Sequence, residues 1–152
     1  LMFITVSGEA ERDGALRDFK IAPEKRWYEK GPLRFFITYE NTGSVHLNPY
    51  GELRIQNMSG EEVGFVELEP WFTLPKSVRL REVTWNRDFL FGKYTATVHI
   101  NRGYDDVIDS AELTFWVFPW KYIAAGILIV FIFFVLFRGF FRSFEFRRKT
   151  NT

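Results

Sequence analysis

Hydrophobic and polar side chains alternate along most of the first 118 residues. The segment 94–100, YTATVHI, shows this clearly, with its apolar positions two residues apart. A period of two is typical of a β-strand that buries one face. Turn-forming residues recur about every ten positions between such segments. The pattern predicts seven strands, at 15–21, 33–40, 53–57, 63–68, 78–85, 94–100 and 111–117.

Seven short strands without a helical period among them predict an all-β domain, an immunoglobulin-like antiparallel β-sandwich over 15–118. Gly92-Lys93-Tyr94 opens the penultimate strand and fits a tyrosine corner, in which a tyrosine hydroxyl bonds back to the preceding crossover. We therefore predict structural roles for Gly92 and Tyr94. The chain has no cysteine, so the sandwich must be held together by its core alone.

A continuous apolar segment, 122–137, replaces the alternation and contains neither a charge nor a proline. A helix rises about 1.5 Å per residue, so this segment covers roughly 24 Å of a hydrocarbon core about 30 Å thick, and its flanks supply the rest. A buried core helix would show a polar stripe, and a signal peptide would lie at the N-terminus. We predict a single transmembrane α-helix with flanks over 119–141.

The residues on either side of this segment indicate its direction. Trp116, Trp120, Lys121 and Tyr122 suit the headgroup region on one side. Basic residues gather on the other side: Arg138, Arg142, Arg147, Arg148 and Lys149. By the positive-inside rule, we expect a basic cytoplasmic tail at 142–152, one crossing of the plasma membrane, and an extracytoplasmic N-terminal part.

The net charge agrees with this sidedness. The whole chain carries +1, whereas residues 1–120 contain 14 basic and 18 acidic residues and so carry −4. An acidic outer part and a basic tail argue against nucleic acid as a partner and for ordinary membrane sidedness. The apolar segment makes the lipid bilayer the first expected partner.

The first residues are open to two interpretations. Leu1–Val6 is an apolar, β-prone run, followed by a charged connector to Gly14. Residues 1–14 are either the end of a missing upstream domain plus connector, which we favour, or a first strand plus connector. A protein in this orientation needs a signal peptide, which Leu1–Gly8 does not resemble, so we expect a longer precursor.

Residues capable of catalysis or metal binding occur without a recognisable pattern. His46 lies in a turn and His99 on the polar face of a strand, and neither has the spacing of a metal-binding motif. Asp105, Asp106 and Asp109 share one loop, but their spacing does not match a Ca²⁺ loop. We expect no catalytic residue, no metal and no cofactor, and therefore a protein that is not an enzyme.

Trp71 and Phe72 are the candidate contact residues. They lie between Pro70 and Pro75 on a loop joining two predicted strands. Rigid aromatic side chains on such loops can anchor a protein partner or a sugar face. The alternative is that both residues cap the open end of the sandwich core.

Four segments resemble bacterial membrane-anchored surface proteins with an immunoglobulin-like ectodomain, in particular the C-terminal part of WxL-interacting-type proteins. They are Leu1–Glu9, Asn41–Gly51, Gly92–Tyr94 and Phe115–Lys121. The resemblance implies an extracytoplasmic immunoglobulin-like module beside the membrane, preceded by another β-domain. Members with that upstream domain bind peptidoglycan and other surface proteins, a property that the resemblance transfers to no residue of this chain.

These observations lead to two functional hypotheses. The first is a non-enzymatic, membrane-tethered cell-surface module that binds or positions surface proteins or cell-wall polymer. The second is a structural subunit of a membrane secretion or transport complex. Binding of the extracytoplasmic part to wall material would favour the first, and stoichiometric membrane partners would favour the second.

Overall fold

Eight strands and one helix make up the part of the chain that the computed structural model describes, residues 10–25 and 27–143. The elements are β1 Gly14–Ala22, β2 Trp27–Tyr28, β3 Leu33–Asn41, β4 Tyr50–Asn57, β5 Glu62–Leu68, β6 Ser77–Trp85, β7 Gly92–Asn101, β8 Ile108–Val117 and α1 Trp120–Ser143. All seven predicted strands are present, each within three residues of its predicted bounds, and β2 is an addition. Leu1–Val6, the tail residues Arg147, Arg148 and Lys149, and the side chain of Arg142 lie outside the described part.

The strands form two sheets with the core between them. One sheet has the order β1-β3-β6 and the other the order β2-β8-β7-β4-β5. The predicted inward faces are confirmed for the central strands, because Leu33, Phe35, Ile37 and Tyr39 of β3 are buried, as are alternate residues of β7. Two sheets that bury their facing sides against each other form a β-sandwich.

The prediction of a purely antiparallel sandwich is wrong at one strand pair. β2 runs parallel to β8, with Trp27 beside Trp116 and Tyr28 beside Val117. β1 pairs with β3 in the first sheet and is followed by Pro23, which has no N–H for the ladder. After Pro23 the chain continues in the direction of β1 and forms β2 in the second sheet. Because β8 runs in this same direction, β2 and β8 pair in parallel.

In β6, the apolar residues Val78 and Leu80 alternate with arginines, which predicts that their side of the strand faces the core. The structure shows the opposite side facing the core. Val78 and Leu80 are exposed, whereas Val83 and Trp85 are buried. Trp85 pairs with Leu33 of β3, and the regular register that follows places Val78 on the outer side. The two large residues at the end of the strand therefore set its orientation.

The two ends of the sandwich differ and are named here by their segments. The loop end comprises residues 10–13, 42–49, 69–76 and 102–107, where β8 begins. The exit end comprises the described residues 23–25, 27–32, 58–61, 86–91 and Phe118, where β8 finishes. The predicted contact residues fall at the loop end.

The chain divides into two compact units, one up to Phe118 and one from Pro119. In the second unit, Trp120–Phe140 forms 21 helical residues, and an 18-residue stretch of them has a mean hydropathy of 2.6 with no part buried within the protein. By length and composition this helix could cross a membrane, and within residues 10–25 and 27–143 it is the one helix of that kind.

Candidate partner-binding site

Backbone hydrogen bonds hold the segments of the loop end together. The N–H groups of residues 42–44 donate bonds of 2.8 Å to the carbonyl oxygens of Glu11 and Asp13. Leu47 and Thr73 exchange two backbone bonds, of 3.0 and 2.9 Å, which join the β3–β4 loop to the β5–β6 loop as a short β-bridge. These bonds between different segments satisfy several backbone groups of the loops and hold them together.

Asn41, fully buried at the end of β3, connects the same two loops through its side chain. Its Nδ2 donates to the carbonyl oxygen of Val45 at 2.8 Å and to that of Thr73 at 3.0 Å. Its Oδ1 accepts a bond of 3.0 Å from the N–H of Gly43. An amide is needed here, because the position calls for two donors and one acceptor on one short side chain.

Trp71 and Phe72 have different surroundings. Trp71 packs against the core, its ring centroid 6.3 Å from that of Tyr39 in an edge-to-face arrangement. The guanidinium carbon of Arg81 lies 4.8 Å from the centre of the Trp71 ring, on the outer side. Trp71 therefore caps the core, which is the alternative that the sequence left open.

Phe72 is the exposed member of the pair, with 54% of its surface accessible. Its ring stacks on the imidazole of His46, with centroids 4.8 Å apart and planes inclined by 12°. Both rings line an open groove of about 560 Å³, which Leu74, Pro75 and Arg12 also border. We call Phe72 and His46 the ring platform.

The groove that contains the ring platform has the composition of a contact site. Phe72 and Leu74 offer apolar surface, and His46 and Arg12 offer groups that can hydrogen-bond. Aromatic anchors within a partly polar rim are the usual centres of binding energy at protein surfaces. Such an arrangement suits an apolar side chain of a partner protein or the apolar face of a sugar ring.

Asp109 lies in β8, next to the β7–β8 loop, and its carboxylate is hydrogen-bonded within the protein. The Asp109 carboxylate accepts bonds of 3.0 and 2.6 Å from the Arg102 guanidinium and one of 2.8 Å from the N–H of Leu16. The hydrogen bond to Asp109 raises the pKa of Arg102 above its usual range. Asp105 and Asp106 lie in the loop itself, and among the described residues no group of three or more potential metal ligands occurs.

Two tyrosine hydroxyls connect the β7–β8 loop to the sandwich through hydrogen bonds. The hydroxyl of the fully buried Tyr39 donates to the carbonyl oxygen of Arg102 at 3.4 Å. The hydroxyl of Tyr104 accepts a bond of 3.0 Å from the N–H of Gly14. Burial raises the pKa of Tyr39 well above its ordinary value of 10, so its hydroxyl keeps its proton at alkaline pH values where an exposed tyrosine loses it.

The predicted structural residues lie at the exit end. Gly92 has a φ of 108°, a conformation that favours glycine. The Tyr94 hydroxyl accepts a bond of 3.2 Å from the N–H of Phe91 and donates one of 3.3 Å to the carbonyl oxygen of the same residue. These bonds run back into the preceding crossover, as in a tyrosine corner.

The predicted membrane-interface residues are divided between the two units. Trp116 is exposed on the outer face of the second sheet, beside Trp27. Trp120 and Tyr122 are exposed in the first turn of α1, and the Lys121 ammonium lies 5.7 Å from the centre of the Trp120 ring. Arg138 lies near the other end of the helix.

Sequence reasoning placed His46 in a turn but did not predict that its ring stacks on Phe72. The signal was present, because His46 and Phe72 lie on two loops that an immunoglobulin-like sandwich brings to the same end. Stacking of the two rings, however, depends on the bridge between Leu47 and Thr73. That contact joins residues 26 positions apart, and no local pattern encodes it.

Comparisons with known proteins give structural neighbours of low similarity. No family model and no curated protein matches this chain. The CARDB domain of a Pyrococcus furiosus protein, crystallised with di-metal ions, is similar with 14% identity and a TM-score of 0.48, over 74% of this chain and 98% of that one. The C-terminal domain of wzt matches with 12% identity and a TM-score of 0.48, over 73% and 79% of the two chains. The ApaA protein of Bordetella pertussis matches with 16% identity and a TM-score of 0.41, over 72% and 96%.

Proposed function

We propose that this chain is a non-enzymatic, membrane-tethered module of a bacterial cell surface, which binds a surface protein or cell-wall polymer through the loop end of its sandwich. The observation that carries the proposal is the exposed ring of Phe72, stacked on His46. The buried Asn41 fixes the two loops that carry these rings. A pre-ordered aromatic surface loses little conformational entropy on binding, which favours recognition.

The strand order supports an immunoglobulin-like sandwich. The connections β3–β4, β5–β6 and β7–β8 all turn at the loop end. In variable immunoglobulin domains, loops gathered at one end of the sandwich form the binding surface. The same placement here makes the loop end the first candidate for recognition.

Three observations support the membrane tether. An 18-residue stretch of the helix has a mean hydropathy of 2.6, and none of this stretch is buried within the protein, as a core helix would be. Basic residues follow it and an acidic segment precedes it. By the positive-inside rule, the sandwich lies outside the plasma membrane and the C-terminus lies in the cytoplasm.

The test is binding of the full chain, reconstituted in nanodiscs, to isolated bacterial cell wall and to purified surface proteins. We expect retention by one of these materials, and Phe72→Ala should reduce it several-fold because the substitution removes half of the ring platform. Phe65→Ala is the matched control, since Phe65 is a phenylalanine of similar exposure, 52%, on the edge strand β5. It should bind like the wild type.

Two results would contradict the proposal. Equal losses for Phe72→Ala and Phe65→Ala would show that the loop end has no special part in binding. No retention of a folded chain by any material would remove the recognition role altogether. Co-purification of stoichiometric membrane proteins, insensitive to Phe72→Ala, would instead support the alternative of a structural subunit in a secretion or transport complex.

A further inference from the structure

The exit end carries most of the exposed tryptophan and phenylalanine of the sandwich. Within the described residues up to Phe118, five of the seven such side chains lie there or on the adjoining strand ends. They are Trp27, Phe89, Phe91, Trp116 and Phe118. Monomeric proteins rarely leave so many large aromatic groups together in water, so the cluster indicates a contact surface. We call these five residues the aromatic rim.

The aromatic rim is built by tertiary structure in two parts. Trp27 and Trp116 are register partners on the parallel pair β2–β8, and their neighbours Tyr28 and Val117 face the core. Both indoles therefore lie side by side on the outer face of the second sheet. The exposed fraction is 68% for Trp27 and 52% for Trp116.

The second part consists of phenylalanines at the tip of the exit end. The rings of Phe91 and Phe118 have centroids 6.2 Å apart, and Phe89 is 72% exposed. The N–H of Phe118 donates a 2.8 Å bond to the carbonyl oxygen of Tyr28, which extends the pairing of β2 and β8 by one residue. The backbone is thus held in the sandwich as far as Phe118.

Chain connectivity determines what can cover this surface. Only Pro119 separates Phe118 from Trp120, the first residue of α1. If the helix enters the bilayer at Trp120, side chains at Phe118 and its neighbours are brought to the headgroup region. That region favours aromatic side chains, particularly tryptophan, whose ring is apolar while its N–H can bond to water or to lipid.

The charges nearby do not select a particular lipid. By sequence, residues 23–32, 58–61 and 86–91 contain four basic and four acidic residues: Lys25, Arg26, Lys30 and Arg87, and Glu24, Glu29, Glu61 and Asp88. Electrostatic attraction to anionic lipid is therefore weak, and burial of aromatic surface supplies the interaction. A zwitterionic bilayer should be sufficient.

We propose that the aromatic rim is a membrane-seating surface, which inserts into the phospholipid headgroup region of the outer leaflet of the membrane that α1 spans. This inference rests on the proposed membrane tether. Seating would orient the sandwich so that its loop end is presented away from the bilayer. A ten-residue strand such as β7 covers about 30 Å, which is the distance at which the ring platform would be held.

The absence of cysteine from the sequence makes a direct depth measurement possible. Three single substitutions supply labelling sites for a fluorescent probe on the full chain in phosphatidylcholine nanodiscs: Asp88→Cys at the exit end, Glu69→Cys at the loop end and Ile129→Cys within α1. Asp88 and Glu69 are both exposed acidic residues, which makes them a matched pair. Quenching is then compared between aqueous iodide and nitroxide-labelled lipid headgroups.

We expect iodide to quench the probe at position 88 several-fold less than the probe at position 69, and headgroup nitroxide to quench it several-fold more. The probe at position 129 should be shielded from iodide. Adding Phe89→Ser and Phe91→Ser to the Asp88→Cys chain should move its quenching toward that of position 69, because these substitutions remove aromatic surface from the rim. Both residues are exposed, so the fold should be unaffected.

The outcomes separate the two ideas. Equal iodide quenching at positions 88 and 69, with position 129 shielded, would overturn the seating surface and leave the tether intact. Iodide access at position 129 would overturn the tether and the inference that depends on it. Seating at position 88 that survives Phe89→Ser and Phe91→Ser would show that the aromatic rim is not the cause.

Discussion

The two ends of the sandwich are organised by different interactions. At the loop end, buried and partly buried polar groups join segments far apart in sequence: the Asn41 amide binds Thr73, and the Asp109 carboxylate binds Leu16. At the exit end, large aromatic side chains dominate the surface and few of them are covered by protein. The loop end is thus held by hydrogen bonds between its segments, whereas the exit end leaves aromatic surface exposed.

The two proposals made above draw on this difference. For the proposed recognition, a surface whose geometry exists before the partner arrives is favourable, and the hydrogen-bonded loops hold the ring platform in that way. For the proposed contact with lipid, exposed aromatic area matters more than exact shape. Buried polar groups thus support the first surface, and exposed aromatic side chains form the second.

The largest difference in stability between the two ends is expected for substitutions of two asparagines, Asn41 at the loop end and Asn57 at the exit end. Asn41→Ala removes three hydrogen bonds from a fully buried position, two donated to the carbonyl oxygens of Val45 and Thr73 and one accepted from the N–H of Gly43, and should lower the free energy of unfolding by about 3 kcal/mol. Asn57→Ala, at the exit end, removes bonds to Ser59 and Glu61 that water can replace, and should cost about 1 kcal/mol or less. Urea unfolding of the full chain in detergent measures both, and equal losses would contradict the contrast.

The neighbouring residues Trp71 and Phe72 provide the next test. Trp71→Ala removes a ring packed between Tyr39 and Arg81, and should destabilise the protein by about 2 to 3 kcal/mol. Phe72→Ala removes an exposed ring, and should change stability by only about 0.5 kcal/mol. Thermal unfolding followed by circular dichroism distinguishes the two variants. A clear loss of stability for Phe72→Ala would mean that Phe72 contributes to the core.

A third prediction concerns alkaline pH and the buried hydroxyl of Tyr39. Its folded-state pKa is raised, so the unfolded chain loses this proton at about pH 10 while the native protein keeps it. The stabilisation is complete below about pH 10 and is lost as the pH rises further, by up to about 1.4 kcal/mol per pH unit. Unfolding free energies from pH 8 to pH 11, roughly the range where tyrosine titrates, should fall less steeply for Tyr39→Phe. Identical slopes for the two proteins would contradict it.

The smallest stability effect is expected at the exit end. Phe89→Ser should leave the free energy of unfolding within about 0.5 kcal/mol of the wild type, because the ring contributes little to the core. The same substitution at Phe35, which is fully buried, would cost about 3 to 5 kcal/mol and serves as the reference. A large loss for Phe89→Ser would mean that the aromatic rim is part of the fold.

Much of the strand layout followed from the sequence because strands with one buried face repeat every two residues. β3 and β7 were predicted with the correct faces for this reason. The pattern was weaker in β6, where Val78 and Leu80 alternate with arginines and the register with β3 turned both outward. β2 was missed because two residues contain no period at all.

The candidate site was predictable only in part. An aromatic pair on a loop pointed to the end of the sandwich where the ring platform lies, but nothing local distinguished the covered ring of Trp71 from the exposed ring of Phe72. Their difference arises from Tyr39 and Arg81, which lie 32 and 10 residues from Trp71 in sequence. The pairing of Phe72 with His46 has the same long-range origin.

The sequence by itself determined the features that depend on composition and short periods. These are the strand succession, the apolar helix at the end of the described chain and the difference in charge between the segments on its two sides. Tertiary structure alone decided which side chains share a surface: the ring platform, the Asn41 junction and the aromatic rim. The physical reason is that alternation records whether a residue is buried, whereas its neighbours depend on register and connection, which are set by contacts across the whole sandwich.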